Sequence, residues 1–192
     1  MKFRYEEPSL ARKQDAIDFI NEFIEYNSRI NGCGRLQDYI DNYEGWLEKL
    51  EKEKTAEVTD EEVPKRTFFF VRIEDNKIIG MVNIRLKLNK KYYNFGGNIG
   101  YGIRPTERGN GYNKINLYLA LKVCKEYGVK EAMLDVDSNN PASWRTMEAL
   151  GAHLEKELKS ELEGHDMFRI YTIDVDKSVE KYKDVYEEFI EN

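Results

Sequence analysis

The stretch 98–114, NIGYGIRPTERGNGYNK, constrains this chain most. It reads as a strand that enters a tight, glycine-bearing loop and passes directly into a helix. A helix start preceded by glycines leaves several backbone N–H groups free in one direction, with the positive end of the helix dipole behind them. That arrangement is an anion site, most often for phosphate. Gly109 and Gly111 permit the backbone conformations that let those N–H groups converge, and Arg108 adds a fixed positive charge. A plain strand-to-helix turn meets the same spacing, so both readings stand at this point.

The residues after the loop fix the topology around it. Residues 114–127 form a helix that is apolar over most of its surface, with Ile115, Leu117, Tyr118, Leu119, Leu121, Val123 and Cys124. Gly128 sits where a C′ glycine belongs. Residues 130–137 read as the next strand, with Ala132, Leu134 and Val136 on one face. Strand, crossover helix, strand implies a parallel pair. Asn140 and Pro141 then start another helix as N-cap and first helical residue, and it ends at Leu150 and Gly151.

The flanking chain supplies the remaining layers. Residues 2–6 read as a first strand, and Ala16, Ile17, Ile20, Phe23 and Ile24 make one face of a helix over 11–26. Asn31-Gly32-Cys33-Gly34 breaks it. Leu36, Tyr39, Ile40, Tyr43, Leu47 and Leu50 then form the stripe of a second helix. Residues 51–65 are a charged, solvated connector. Residues 67–73 form a strand, 74–77 a hairpin turn, and the alternation from Ile78 to Leu88 a second strand with one face committed to a core. Residues 152–158 and 167–175 read as two strands joined near Glu163-Gly164. Val179, Tyr182, Val185, Tyr186, Phe189 and Ile190 mark a terminal amphipathic helix. The order is mixed α/β, with an antiparallel first half, one parallel junction and a closing hairpin. It divides into a domain over 1–175 and an appended helix over 176–192.

Charge and cysteine usage narrow the function classes. The net charge is −6, and lysines and arginines are spread along the chain, so no nucleic-acid footprint is visible. Cys33 and Cys124 lie far apart without a pairing pattern. The two histidines, His153 and His165, form no metal-spaced cluster and read as surface or turn residues. No apolar run nears the length of a membrane span, and the first residues carry no leader pattern. The expectation is a soluble, cytoplasmic protein that uses no metal and binds neither membrane nor nucleic acid.

Two nucleotide loops are excluded at 98–114. A Walker-type loop needs GxxxxGK[ST], and a dinucleotide-binding turn needs GxGxxG; neither is present. What the stretch does resemble is the acyl-CoA signature of the GCN5-related N-acetyltransferase (GNAT) superfamily, [QR]-x-x-G-x-[GA] after a strand that ends in a hydrophobic residue and often a proline. Ile103-Arg104-Pro105 followed by Arg108-Gly109-Asn110-Gly111 matches it. Asn140-Pro141-Ala142-Ser143 with Leu150-Gly151 resembles the family's second motif, and the element order matches over residues 1–175. Within the superfamily, the run GYGIRPTERGNGY resembles small bacterial members of unassigned substrate.

The resemblance implies a GNAT fold, with central strands at 98–104 and 130–136 splayed apart and flanked by helices. It implies acetyl-CoA as co-substrate: a pantetheine arm pairing with the backbone near Ile103 and Arg104, and a pyrophosphate on the N–H groups of 108–114, hence on Arg108, Gly109, Asn110, Gly111, Tyr112 and Asn113. Asn140 and Ser143 are its contacts from the second motif. It implies that an amine attacks the thioester directly. Two positions depart from the pattern. Asn113 stands where the signature has Gly or Ala, and Met147 stands where many members have a tyrosine that protonates the thiolate. Tyr101 and Asp137, near the splay, are then candidates for acid or base, each with a structural reading beside it. Glu155 and the Tyr92-Tyr93 pair are weaker candidates for the acceptor side.

The expected function is N-acetyl transfer from acetyl-CoA to a primary amine, on a small molecule or peptide. The alternative is a non-catalytic acyl-CoA binder on the same fold, which Met147 motivates. The terminal helix can pack in cis or support a homodimer.

Overall fold

The computed structural model describes residues 1–159 and 167–191. Its strands are β1 (Phe3–Glu6), β2 (Lys65–Arg72), β3 (Lys77–Arg85), β4 (Ile99–Ile103), β5 (Glu131–Asp137), β6 (His153–Lys159) and β7 (Met167–Asp174). Its helices are α1 (Lys13–Glu25), α2 (Tyr43–Glu53), α3 (Lys90–Asn94), α4 (Tyr112–Glu126), α5 (Pro141–Ala149), α6 (Val175–Lys181) and α7 (Lys183–Tyr186). The fold is mixed α/β, as the element order implies. His165 and the expected Glu163-Gly164 joint lie outside the described residues.

The strands form two sheets, β1-β2-β3-β4 and β5-β7-β6, with every ladder antiparallel. The parallel ladder expected between 98–104 and 130–137 does not form, which corrects the simple strand–helix–strand reading. β4 and β5 touch at one end only. Asn98 N–H donates to Met133 O (2.6 Å), and Met133 N–H donates back to the Asn98 side-chain oxygen (2.9 Å). The Asn98 amide also donates to Arg85 O (2.9 Å). One buried side chain therefore staples β3, β4 and β5 at a vertex, and beyond it β4 and β5 part. Gly97 makes the approach possible: its φ is +53°, and a Cβ there would overlap the Met133 carbonyl.

Two cores lie on opposite faces of the first sheet. On one, α1 and α2 bury Phe19, Phe23, Trp46, Phe69 and Met81. On the other, α4 buries Leu117 and Leu121 against Phe70, Val82 and Ile84, and this core runs on under β5 and β7. β3 is thus buried on both faces, not one. Its alternation breaks where Phe70 pairs with Gly80 and Val71 with Ile78, so Ile79 is an extra residue.

Three further readings are corrected. The 36–50 stripe is not one helix: a short 3-10 turn, Leu36–Tyr39, ends before Asn42, whose side chain accepts the Gly45 N–H and caps α2. The terminal helix is broken at Tyr182 into α6 and α7. α3 falls where the sequence shows no period, and α4 starts two residues earlier than expected.

The C-terminal segment packs on α4 in cis. Tyr118 OH donates to Val179 O (3.3 Å), Lys122 pairs with Glu187 (2.7 Å), and Ile190 bridges to Phe3. Among the described residues, no helix is long and apolar enough to cross a membrane.

Candidate functional site

The loop between β4 and α4 is built as an amide cradle. Pro105–Glu107 forms a 3-10 turn, held to the β2–β3 hairpin by Glu107 with Arg72 (2.7 Å) and Lys77 (3.0 Å). Gly109 and Gly111 follow with φ of +83° and +78°, and Gly111 is the N-cap of α4 with no side-chain cap. Among the described residues, the backbone N–H groups of 109–113 donate to no protein acceptor. The space above both glycines is open, since a Cβ at either would meet nothing within 4 Å. Consecutive unpaired amides at an uncapped helix start, with room above them, fit an anion such as a pyrophosphate.

The side chains of the loop point elsewhere. Arg108 turns inward: its guanidinium donates to Ile103 O (3.1 Å) and Ser28 Oγ (2.7 Å) and lies over the Phe23 ring. Arg104 is buried, paired with Glu22 (2.9 Å) and donating to Ile78 O (3.1 Å). Asn110 donates to Glu107 O (3.1 Å), and Tyr112 packs on Phe3. What these residues present to the cradle is backbone.

The split between β4 and β5 opens beside the cradle. Arg85 N–H donates to Asn98 O (2.7 Å) and Arg104 N–H to Ile79 O (2.9 Å). Hydrogen-bonded positions alternate along an antiparallel strand, so Gly100 and Gly102 also bond to β3. The N–H and C=O groups of Ile99 and Tyr101 and the N–H of Ile103 therefore point into the split, while the Ile103 C=O accepts from Arg108. A linear amide-bearing chain laid there meets backbone partners on β4.

On the α4–α5 side of the split, three elements meet at one hydroxyl. Tyr101 OH lies 2.9 Å from Ser143 Oγ at the start of α5, and the Asn113 side chain faces it from α4. Burial pushes the phenol up to about 12, against the hydrogen bonds from Ser143 and Asn113. Asn140 caps α5 by accepting the Ser143 N–H (3.2 Å). Tyr101, Asn113 and Ser143, predicted separately, are thus brought together. Met147 is in the core, 2% exposed.

The opposite face of the split is lined differently. β4 contributes only Gly100 and Gly102, and the loop after α1 lies directly on them: a Cβ at Gly32 would come within 2.5 Å of Tyr101 Cα. β5 contributes Asp135 and Asp137. Asp137 Oδ1 accepts the Asn139 N–H (2.9 Å) in the turn before α5. Asp135 is the residue that sequence reasoning missed. Burial raises its pKa above the ordinary aspartate value, against the opposing charges of Arg85 and Arg29 and the Gly96 N–H. The signal was the spacing Asp135–Asp137 inside a core strand, which puts two carboxylates on one face. Arg85 stacks on the Tyr92 ring (4.3 Å), whereas Tyr93 is exposed. Glu155 sits on β6 with His153 (2.6 Å) and Thr172 (2.8 Å), away from Asp135 across β7. Among the described residues, no cluster of His, Cys, Asp or Glu is placed to hold a metal.

Comparison with known proteins gives the same architecture. The profile of the acetyltransferase (GNAT) family matches residues 34–152. Among solved structures, the chain is similar to the microcin C7 self-immunity acetyltransferase MccE in complex with acetyl-CoA and AMP. The TM-score is 0.65 at 18% identity, covering 90% of this chain and 92% of that one. It is similar to a chimera of the spermidine N-acetyltransferase SpeG from Vibrio cholerae and hSSAT, with a TM-score of 0.64, 15% identity and coverage of 93% and 99%. It is also similar to an acetyltransferase of the GNAT family from Streptococcus pneumoniae, with a TM-score of 0.63, 16% identity and coverage of 90% and 99%. No curated protein sequence matches the chain.

Proposed function

The chain belongs to the acetyltransferase (GNAT) family, and on that footing we propose that it transfers the acetyl group of acetyl-CoA to a primary amine by direct attack. The observation that carries the reading is the cradle: five consecutive unpaired amides, 109–113, at the mouth of a split whose β4 wall presents free backbone groups. Gly109 to Asn113 hold the pyrophosphate through backbone N–H groups. Ile103 and Tyr101 offer the backbone partners for the pantetheine arm. A β4 N–H pointing into the split polarises the thioester carbonyl and stabilises the charge that develops on it. Arg104 and Arg108 act indirectly, by fixing the end of β4 and the course of the loop.

Tyr101 takes the place left by Met147. A phenol raised to about 12 keeps its proton across the working pH range, so it donates rather than accepts. Ser143 and Asn113 hold it on the side of the split where α4 and α5 begin, and there it offers a hydrogen bond to the departing thiolate. Acetyl-CoA supplies the activated acyl group; the protein supplies position and oriented dipoles.

The test is thiol release from acetyl-CoA with a panel of amino acids, polyamines and peptides, together with calorimetric CoA binding. Turnover on any amine, with CoA affinity lowered in Gly111→Val, is the expected result. CoA binding without turnover on the whole panel favours the binder that Met147 motivates. Absence of CoA binding overturns the reading.

A further inference from the structure

The face of the split away from α4 and α5 carries a carboxylate that the cradle does not use. β5 reads Leu134-Asp135-Val136-Asp137: Leu134 and Val136 enter the core, which sends Asp135 and Asp137 to the other face. Met133 is stapled to Asn98 at the vertex. Asp135 is the next residue of β5 on that face, where the two strands have just begun to part. Across from it, β4 has no side chains at Gly100 and Gly102, and the loop after α1 roofs them with the backbone of Asn31 and Gly32. An acceptor that enters between this roof and β5 passes Asp135 before it reaches the backbone groups of Tyr101.

We propose that Asp135 is the general base, taking the proton of the acceptor amine as it attacks the acetyl carbon. The assignment rests on the acetyl-transfer reading above and names the base for it. The acceptor reaches the split as the neutral amine, its ammonium proton left in solvent. Its nitrogen lone pair forms the C–N bond as the C–S bond breaks, and the surplus proton on the acylated nitrogen passes to the Asp135 carboxylate. The sulfur leaves with the electron pair, accepting a hydrogen bond from Tyr101, and Asp135 returns its proton to water. Asp137 is the poorer candidate by position: it lies two residues farther from the vertex, at the end of β5, and its Oδ1 accepts the Asn139 N–H in the turn before α5.

The surroundings suit the role. Arg85 from β3, Arg29 from the loop after α1 and the Gly96 N–H all face Asp135 and favour its charged form. Asp137 is the like charge on its own strand, and Ile170 opposite it on β7 is uncharged. Burial outweighs the opposing charges and holds the carboxyl above its ordinary range, closer to the pH at which a base works well.

The experiment is the pH profile of kcat and kcat/KM, with acetyl-CoA and the panel amine that the wild type acetylates fastest, for Asp135→Asn, Asp137→Asn and Arg29→Gln. CoA affinity is measured on each. Asp135→Asn is expected to lower kcat by about 100-fold or more, to remove the acidic limb, and to leave CoA affinity unchanged. Asp137→Asn is expected to keep the limb. Arg29→Gln removes a favourable charge, so its acidic limb moves to higher pH, and this arm decides the matter if Asp135→Asn does not fold. An Asp135→Asn enzyme with its acidic limb intact, or an Arg29→Gln limb that does not move, overturns the assignment and leaves acetyl transfer standing. A wild type that releases no thiol with any amine removes both.

Discussion

The two sides of the split are made of different material. The cradle at 109–113 is backbone: amide groups oriented by two glycines in the left-handed region and one uncapped helix start, with its side chains turned away. The opposite face is side chain: Asp135, Arg85, Arg29 and Tyr92 around a floor that β4 leaves bare. A backbone site is set by φ and ψ and tolerates changes in side chains that do not alter them. A side-chain site changes its chemistry with every substitution and keeps its shape. That contrast suits a protein that holds one invariant ligand end and leaves the other end open to specialisation.

The vertex joins the two sides, and breaking it gives the largest expected effect. Asn98 is buried and bonds to Met133 and Arg85 through one amide. Asn98→Leu keeps the branched shape and leaves the Met133 N–H and the Arg85 C=O without partners. Each buried orphan costs about 1–3 kcal/mol, so the variant loses about 4 kcal/mol in urea unfolding. Asn98→Asp keeps the acceptor for Met133 but at neutral pH sets a buried charge against the Arg85 carbonyl, so its loss is expected to shrink as the pH falls and the carboxyl protonates. Equal stability for all three chains would mean that the sheets are held elsewhere.

The next test separates backbone from side chain within the cradle. In the double variant Gly109→Val with Gly111→Val, two β-branched residues are forced toward positive φ at about 1–2 kcal/mol each. CoA affinity then falls by about 100-fold. Unfolding stability changes little, because the cradle has open space above it and relaxes to another conformation. Asn110→Ala changes no φ requirement and keeps CoA affinity within about 3-fold, since Asn110 spends its side chain on Glu107 O. If Asn110→Ala is the more damaging, the contrast between the two faces fails.

How far each part was legible follows from the same contrast. The cradle was readable because glycine spacing states a backbone requirement directly, and the helix behind it has a period. The staple was not: Asn98 is one polar residue ahead of a strand, and nothing local says that it bridges three strands. α3 is five residues long, too short for any period to show. The 36–50 stripe kept helical spacing through Asn42, so the cap inside it was hidden until its bond to Gly45 was seen. Asp135 was passed over because an acidic residue alternating with core residues normally faces water. Arg29 and Arg85, whose charges face it, come from distant parts of the chain.

Tyr101 tests whether the α4–α5 side carries any side-chain chemistry at all. Tyr101→Phe removes one hydroxyl that meets Ser143 and faces Asn113. Loss of a single hydrogen bond to a charged group is worth about 1.5–3 kcal/mol, so kcat falls by about 10- to 100-fold while CoA affinity holds. Stopped-flow thiol release and calorimetry on the same preparation separate the two. An unchanged kcat would leave the thiolate to water, and that side would be backbone alone.

The smallest effect concerns an ion-pair cluster that supports the cradle from below. Glu107 closes the turn ahead of Arg108 and pairs with Arg72 and Lys77 across the β2–β3 hairpin. The hydrogen bonds from Arg72 come first among the causes that lower its pKa below the ordinary glutamate value. A carboxylate with a depressed folded pKa binds fewer protons than its unfolded counterpart. Its contribution is therefore fully present above the unfolded value of about 4.3 and drains away as pH falls through the folded one. The group is partly exposed, and screening keeps its contribution small. Glu107→Gln is expected to cost about 1 kcal/mol at pH 7, and the gap to wild type should close below about pH 4. Thermal unfolding from pH 3 to pH 7 reads this directly. A gap that persists at pH 3 would assign the loss to packing at the turn rather than to charge, and the footing of the cradle would be as indifferent to side-chain ionisation as the cradle itself.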